Sequence, residues 1–456
     1  ETVDAAIAWW NSLPEDQPRF MWVHLFDSHH PWVPSPESFA RHGSDAYQAE
    51  IAFTDQQTGR LLEALSAQLD ESLVILTADH GEGLGEHGEE THAVFAYDST
   101  MRIPMVWWWG EGMEGVGTRG RTAAGPAALV DVVPTVRSLM GWPPRATEGR
   151  ALSGALSGGV VAPRELPMEA VSGTFMMNTA PIFGLVDSAG RVWFDVPQPE
   201  LYDLTSDPGQ EHNLYQPSLA GDLGALSARH PRSWPPEDAG ALDAEAAAQL
   251  AALGYVSFEP QPSDAPAMDP KDSVDLMRFL MTPKLQLPLE KAQTEGARLR
   301  DKYGWVPTLV QYLLEYYDGL GHRGAATEIL RGALVAHPDQ PDWRAAWDQR
   351  MRQRQEKEAL VIRIRAAIQR APTNADAHFD LGATLRFLER FDEAEVALRA
   401  AIRLAPGDLE AVKQLAHVLR MKGDVESAVS VLESSVGSDP QMRCELARFQ
   451  YVNRFQ

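Results

Sequence analysis

An aspartate and a histidine stand side by side at Asp79 and His80, directly after the apolar run Leu73–Thr77, and a glycine-rich acidic loop follows as far as His92. A carboxylate oxygen and an imidazole nitrogen are hard and borderline ligands for a divalent cation. A buried strand that delivers both at its carboxyl end puts them where open α/β sheets hold their sites. Gly81, Gly83, Gly85 and Gly88 would let the backbone pass close to a bound ion or anion. A polar turn after a strand would use the same residue types, with Asp79 as a cap, so the pair needs support from its surroundings.

Residues 20–26 (FMWVHLF) are short, apolar and followed by a polar cluster, which predicts a buried strand. Residues 45–69 set Ile51, Leu61, Leu62 and Leu65 among Asp55, Arg60 and Glu63, the pattern of an amphipathic helix. Residues 73–77 and 103–109 predict two more strands, and 129–141 a helix stopped by Gly141 and the prolines beyond it. Strands alternating with helices imply a mostly parallel sheet covered on both faces. Alternation puts Trp107 and Trp109 on one face and Trp108 on the other, as packing aromatics rather than a sugar-stacking platform. Residues 142–165 have loop composition. The runs 182–186 and 191–194 flank Asp187-Ser188-Ala189-Gly190 as a hairpin. Residues 216–270 hold many prolines and one predicted helix over 243–255, the signature of a boundary and linker.

At 456 residues the chain is long enough for at least two cores. A net charge of −24 argues against nucleic acid or an anionic membrane as partner. The acidity lies in the earlier part, since basic and acidic residues roughly balance from residue 341 onward. The single cysteine, Cys444, excludes an intrachain disulfide framework and a cysteine-based zinc site. No apolar run is long enough to span a membrane.

The last part repeats. On a period of 34, blocks 307–340, 341–374, 375–408 and 409–442 each carry a proline at the same place: Pro338, Pro372, Pro406 and Pro440. Ala326, Ala394 and Ala428 share a second position with Leu360; Ala333, Ala367, Ala401 and Ser435 share a third. Leu381-Gly382 falls where two helices must approach closely. The pattern is similar to tetratricopeptide repeats, two antiparallel helices per unit stacked into an all-α solenoid. Block 341–374 is degenerate, and 273–306 resembles a worn additional unit. The groove of such a solenoid suits a protein or peptide partner, and its arginines favour an acidic peptide.

Six ordered segments resemble the second half of a sulfatase of the alkaline phosphatase superfamily: HLFDSHHPW (24–32), YQAEIAFTDQQTGRLLEAL (47–65), TADHGEGLGEHGE (77–89), MRIPMVWW (101–108), LVDVVPTVRSLMGW (129–142) and ELYDLTSDPGQEHNL (200–214). The resemblance implies an α/β/α sandwich, N-terminally truncated here, over 1–165. A small antiparallel C-terminal subdomain with a docked helix follows over 166–255, then a linker over 256–272 and the repeats over 273–456. It implies that Asp79 and His80 bind a divalent metal, most often Ca2+, with Zn2+ or Mn2+ as alternatives. His29, in the family's His-x-Pro position, would protonate the leaving group, with the adjacent His30 as the substrate-binding alternative. His92 would contact the transferred group. His24 reads as a core histidine, and His87 with Glu82, Glu86, Glu89 and Glu90 as a solvated set that structures the loop. The segment 200–214 is expected to be structural.

The family's metal-binding Asp-Asp strand and its Cys/Ser-x-Pro-x-Arg motif, source of the formylglycine nucleophile, do not occur in this sequence. The expectation is therefore a fragment that is inactive alone. Three functions compete: a sulfate-ester hydrolase; a phosphodiesterase or phosphoethanolamine transferase on the same fold, suggested by His92 where many sulfatases carry lysine; and a repeat-based binding protein with an inert hydrolase half. Resemblance puts the protein in the periplasm or outside the cell, with the cytoplasm left open.

Overall fold

A computed structural model describes residues 1–456 apart from 15–16, 42–44, 114, 231–267, 283, 285–286, 437–442, 444–445 and 448–456. The predicted helix over 243–255, most of the linker, Pro440 and Cys444 lie outside the described residues. The chain divides into two compact units, Glu1–Val274 and Asp275–Gln456.

The first unit begins with helix α1 (Thr2–Asn11), which packs on α2 (Ala46–Ala64). Asp45 caps α2 by accepting from the Gln48 amide at 3.0 Å. Strand β1 (Leu73–Thr77) carries the Asp79-His80 pair just past its end, as the sequence predicts. Its partner is β2 (Met105–Trp109), and the pairing is antiparallel, Leu73 opposite Trp109 and Thr77 opposite Met105. Trp109 is buried and Trp108 exposed, as alternation requires.

The expected parallel sheet with 20–26 as an interior strand is not what the described residues form. Residues 20–26 lie outside any ladder, with Phe20 82 % and Trp22 83 % exposed. Apolar content alone does not make a strand interior. A neighbouring strand must take its N–H and C=O groups in a ladder, and none among the described residues does so; the Phe26 carbonyl instead accepts from the His29 amide at 3.0 Å in a local turn.

Helix α3 (Val132–Leu139) follows a short 3-10 turn at Leu129–Asp131. The second sheet is antiparallel in the order β3 (Leu166–Ala170), β4 (Ile182–Val186), β5 (Arg191–Asp195), β6 (Glu200–Asp203). The predicted hairpin joins β4 to β5. Asp187 donates its amide to the Arg191 carbonyl at 2.8 Å, and Gly190 takes the left-handed conformation that closes the turn (φ 81°). Helix α4 (Ala220–Arg229) lies within the stretch read as proline-rich boundary. Leu223 and Leu226 recur three apart and bury against Leu185, Trp193 and Leu201.

The second unit is helical: α5 (Val274–Met281), α6 (Leu289–Tyr303), α7 (Pro307–Leu320), α8 (Arg323–Ala336), α9 (Pro341–Arg370), α10 (Ala375–Phe387), α11 (Phe391–Leu404), α12 (Leu409–Met421) and α13 (Val425–Val436). Helices α7–α8, α10–α11 and α12–α13 are the expected antiparallel pairs, with Leu385, Ala394, Leu398 and Ala401 buried and Leu381 partly so. Block 341–374 departs from the repeat. Its charged run ArgMetArgGlnArgGlnGluLysGlu has strong helix formers and no turn residue, so one 30-residue helix replaces two. The unit then closes on itself: the Arg420 guanidinium donates to the Leu320 carbonyl at 3.0 Å, and the Gly324 amide donates to Glu389 at 2.9 Å.

Candidate functional site

Three histidines from three separate stretches of chain meet beyond the end of β1. His29 comes from the turn before α2, His80 from the strand end, and His92 from the far side of the glycine-rich loop. Ring centroids are 4.1 Å apart for His80 and His92, 4.6 Å for His29 and His92, and 6.1 Å for His29 and His80. One ring nitrogen from each lies within 4.8 Å of the others, and the three side chains are half-buried.

Local structure explains the convergence. The loop folds on its own backbone: the Gly81 amide donates to the Thr100 carbonyl at 2.7 Å and the Gly83 amide to the Thr91 carbonyl at 2.6 Å. A β-carbon at Gly81 would sit 2.3 Å from the Ser99 carbonyl oxygen, and one at Gly83 2.5 Å from that of Thr91. These glycines permit backbone-to-backbone approach, a different use from the ligand approach expected of them. The loop then docks on the second sheet. Tyr97 donates to Glu200 at 2.9 Å, the Asp98 amide to Gln210 at 2.6 Å, and the His87 ring meets the Gly209 carbonyl at 3.0 Å while stacking on Tyr97. The segment 200–214 thus holds the loop that carries His92.

Each ring is oriented by an oxygen at Nδ1. His29 Nδ1 lies 2.5 Å from the His30 carbonyl, His80 Nδ1 2.7 Å from the Gly81 carbonyl, and His92 Nδ1 2.8 Å from the Glu82 carboxylate. The Glu82 side chain is only 5 % exposed, so the expectation of a solvated residue is overturned there. Glu89 is buried too: it accepts from the Val94 amide at 2.8 Å and the Phe95 amide at 3.3 Å. Burial pushes its carboxyl up to about 7, against the pull of those amides and of His92. A carboxylate ten residues before His92 carries no spacing signal, which is why the sequence did not mark Glu82 as its partner.

The other expected site residues lie around this cluster. Asp79 is 74 % exposed at its side chain; its carboxylate accepts from the His80 amide at 3.1 Å and is 3.9 Å from His80 Nε2. It stands beside the cluster, not among the three converging ligands. His30 turns to Trp32, ring centroids 5.4 Å apart, and Trp32 in turn contacts Tyr47 of α2. Burial, then the neighbouring rings of His29 and His92, holds the His30 imidazole below its ordinary value, partly offset by Glu82. His24 is exposed and edge-on to Phe26, not a core residue.

Residues 1–142 match the Sulfatase family and residues 388–448 the Tetratricopeptide repeat family. Human iduronate 2-sulfatase is 28 % identical over 278 residues, covering 43 % of this chain and 48 % of that one. Human arylsulfatase A is 29 % identical over 253 residues, covering 46 % of each. A solved structure from work on glycosaminoglycan metabolism by Bacteroides thetaiotaomicron has a TM-score of 0.39 at 17 % identity, covering 50 % of this chain and 56 % of that one. The chain spans about half the length of these two curated relatives. Its N-terminal part is of the sulfatase family, and it is joined to tetratricopeptide repeats.

Proposed function

We propose that the protein is a sulfatase-like hydrolase that acts on a sulfate ester at the His29–His80–His92 cluster. The observation that carries this reading is the convergence of three imidazoles from distant segments, inside the part that matches the sulfatase family. Cleaving such an ester requires neutralising the anionic oxygens and supplying a proton to the departing oxygen. A divalent metal, as the family implies, would supply the first. The chain's residues set how either is done. With Nδ1 of each ring committed to an oxygen, Nε2 is the atom each offers to an ion, an ester oxygen or a proton. The roles read for His29 and His92, and metal ligation by His80, all run through Nε2. The attacking group, a formylglycine by resemblance, is not assigned to a residue of this chain.

The repeats supply protein interaction in this reading, and the periplasm or the cell exterior is the proposed location. Among the described residues no helix is long and apolar enough to cross a membrane. The test compares aryl sulfate and phosphate diester turnover by the protein encoded by the whole open reading frame. Sulfate should be preferred, and His92→Ala should lower turnover by about 100- to 10,000-fold. Preference for the diester would favour the phosphodiesterase alternative. Undiminished turnover after replacing all three histidines would refute the site. The 456-residue chain by itself should show no turnover.

A further inference from the structure

We propose that the closed repeat unit holds an anion-binding site at Arg323, Arg386 and Arg420, with Lys357 beside them, and that the site takes a tetrahedral dianion of the sulfate or phosphate class. It lies wholly within the second unit, so the inference does not rest on the reading of the histidine cluster.

Closure of the unit brings the cations together from four helices. The turn between α7 and α8 sits against α12: the Arg420 guanidinium donates to the Leu320 carbonyl at 3.0 Å, and a β-carbon at Gly321 would meet His417 Nε2 at 2.9 Å. Arg323, the first residue of α8, then lies 4.2 Å over the ring of Phe387 in α10. Lys357 of α9 lies 5.4 Å from the same ring. Arg386 is the neighbour of Phe387 in α10, and Arg420 stands 34 residues further on, at the same place in the next repeat. The two therefore belong to the same side of the stack.

Charge is not balanced there. Arg386 Nε is buried and has no hydrogen-bond partner. The Arg323 guanidinium rests on an aromatic face, and among the described residues no carboxylate pairs with it. The nearby carboxylates are engaged elsewhere. Glu389 accepts from the Gly324 amide at 2.9 Å; Glu410 accepts from the Gln414 side chain at 2.9 Å and lies 3.7 Å from Lys413. The His322 and His417 rings add no charge at neutral pH, since burial and then Arg420 hold both below their ordinary value. Burial and then the like charge of Arg323 lower Arg386 as well, with Glu410 opposing. A buried donor without an acceptor is unfavourable, and like-charged guanidiniums repel. One multivalent anion removes both penalties.

The geometry also selects the shape of the anion. Guanidinium forks bind oxyanions bidentately. A carboxylate has two oxygens in one plane and satisfies one fork. These forks belong to three separate helices, α8, α10 and α12. A tetrahedron of oxygens carrying two charges meets several of them at once.

The probes are inorganic sulfate, inorganic phosphate and succinate, which equals them in charge but carries planar carboxylates. Each is titrated into the full chain by calorimetry, with ionic strength held constant by sodium chloride. Sulfate and phosphate should bind, and succinate about 10-fold more weakly or worse. Arg386→Met and Arg323→Gln should each weaken sulfate binding by about 10- to 100-fold. Arg386→Lys should lose less than Arg386→Met, because the charge stays while the fork goes. The chain with His29, His80 and His92 all replaced by alanine should bind sulfate as before. Circular dichroism shows which variants fold. Thermal unfolding gives a second readout: dilute phosphate should raise the unfolding temperature of the unsubstituted chain. Without anion, Arg386→Met should unfold no lower than that chain, since it keeps the apolar stem and loses the unpaired charge. Binding no stronger than that of chloride, succinate held as tightly as sulfate, or binding that vanishes with the three histidines would overturn the proposal. So would an anion-free Arg386→Met that unfolds at lower temperature, since the guanidinium would then be satisfied within the fold.

Discussion

Replacing Gly382 by alanine should destabilise the repeats, although alanine is the better helix former. Gly382 lies in α10 where that helix crosses α11. A β-carbon there would sit 2.5 Å from Leu398 Cγ, 2.8 Å from its Cδ2 and 3.2 Å from its backbone nitrogen. Leu398 is fully buried, packed in one cluster with Leu385, Leu415 and Leu419, so its side chain has no free space to turn into. The backbone nitrogen means that the helices themselves must separate. Helix propensity favours alanine by about 1 kcal/mol, and overpacking a filled core costs about 1–3 kcal/mol. The net loss should be up to about 2 kcal/mol. Gly319, exposed in α7 with nothing within 4 Å of its would-be β-carbon, is the control. Gly319→Ala should gain about 0.5 kcal/mol, since it lies in the last turn of its helix. Urea unfolding followed at the helical circular dichroism band measures both. Leu398→Ala alone should cost about 2–5 kcal/mol, and in the Gly382→Ala background visibly less, because the smaller side chain relieves the clash. A Gly382→Ala midpoint at or above that of the unsubstituted chain, with unchanged slope, would refute the close crossing.

Asp131 is fully buried and accepts from the Ala128 and Arg150 amides, each at 2.8 Å, and from both terminal nitrogens of the buried Arg164. Asp131→Ala should cost about 3–5 kcal/mol, read by thermal unfolding, and Asp131→Leu with Arg164→Met should recover much of it. Burial, reinforced by Arg420, Arg386 and His322, lowers the His417 imidazole from 6.5 to about 3. The unfolded chain therefore binds the proton first, and stability present above pH 6.5 is lost as pH falls toward 3, by up to about 5 kcal/mol. His417→Gln should flatten this acid limb of the helical signal; an unchanged limb would refute the buried neutral ring. Glu89 has the opposite sign. Raised from 4.5 to about 7, it holds its proton longer in the fold, so stability falls as pH rises through that window, by up to about 3 kcal/mol. In Glu89→Gln the unfolding temperatures measured below pH 4.5 and above pH 7 should lie closer together than in the unsubstituted chain.

The sequence by itself determined the periodic elements. The 34-residue spacing of prolines and small residues marked the repeats, because a helix pair needs its turn and its close crossing at fixed positions. The hairpin at 187–190 was legible from turn chemistry, and the helix after Asp45 from its apolar face. The Asp79-His80 pair was legible because a strand end followed by glycines is a local pattern. The tertiary structure decided whatever depends on distant partners. Strand 20–26 reads apolar, but a ladder is a property of two segments, and no described segment pairs with it. The fused helix α9 arose because nothing in its charged run breaks a helix, whereas the family pattern implied a turn. Glu82, a charged residue in an acidic loop, is buried because the Gly83 and Thr91 backbones draw together and fold it under His92. The His30 and Gly81 carbonyls, which orient the other two rings, have no sequence signal at all. Which nitrogen each histidine offers is a matter of directions and distances between segments far apart in the chain, and those come only from the fold.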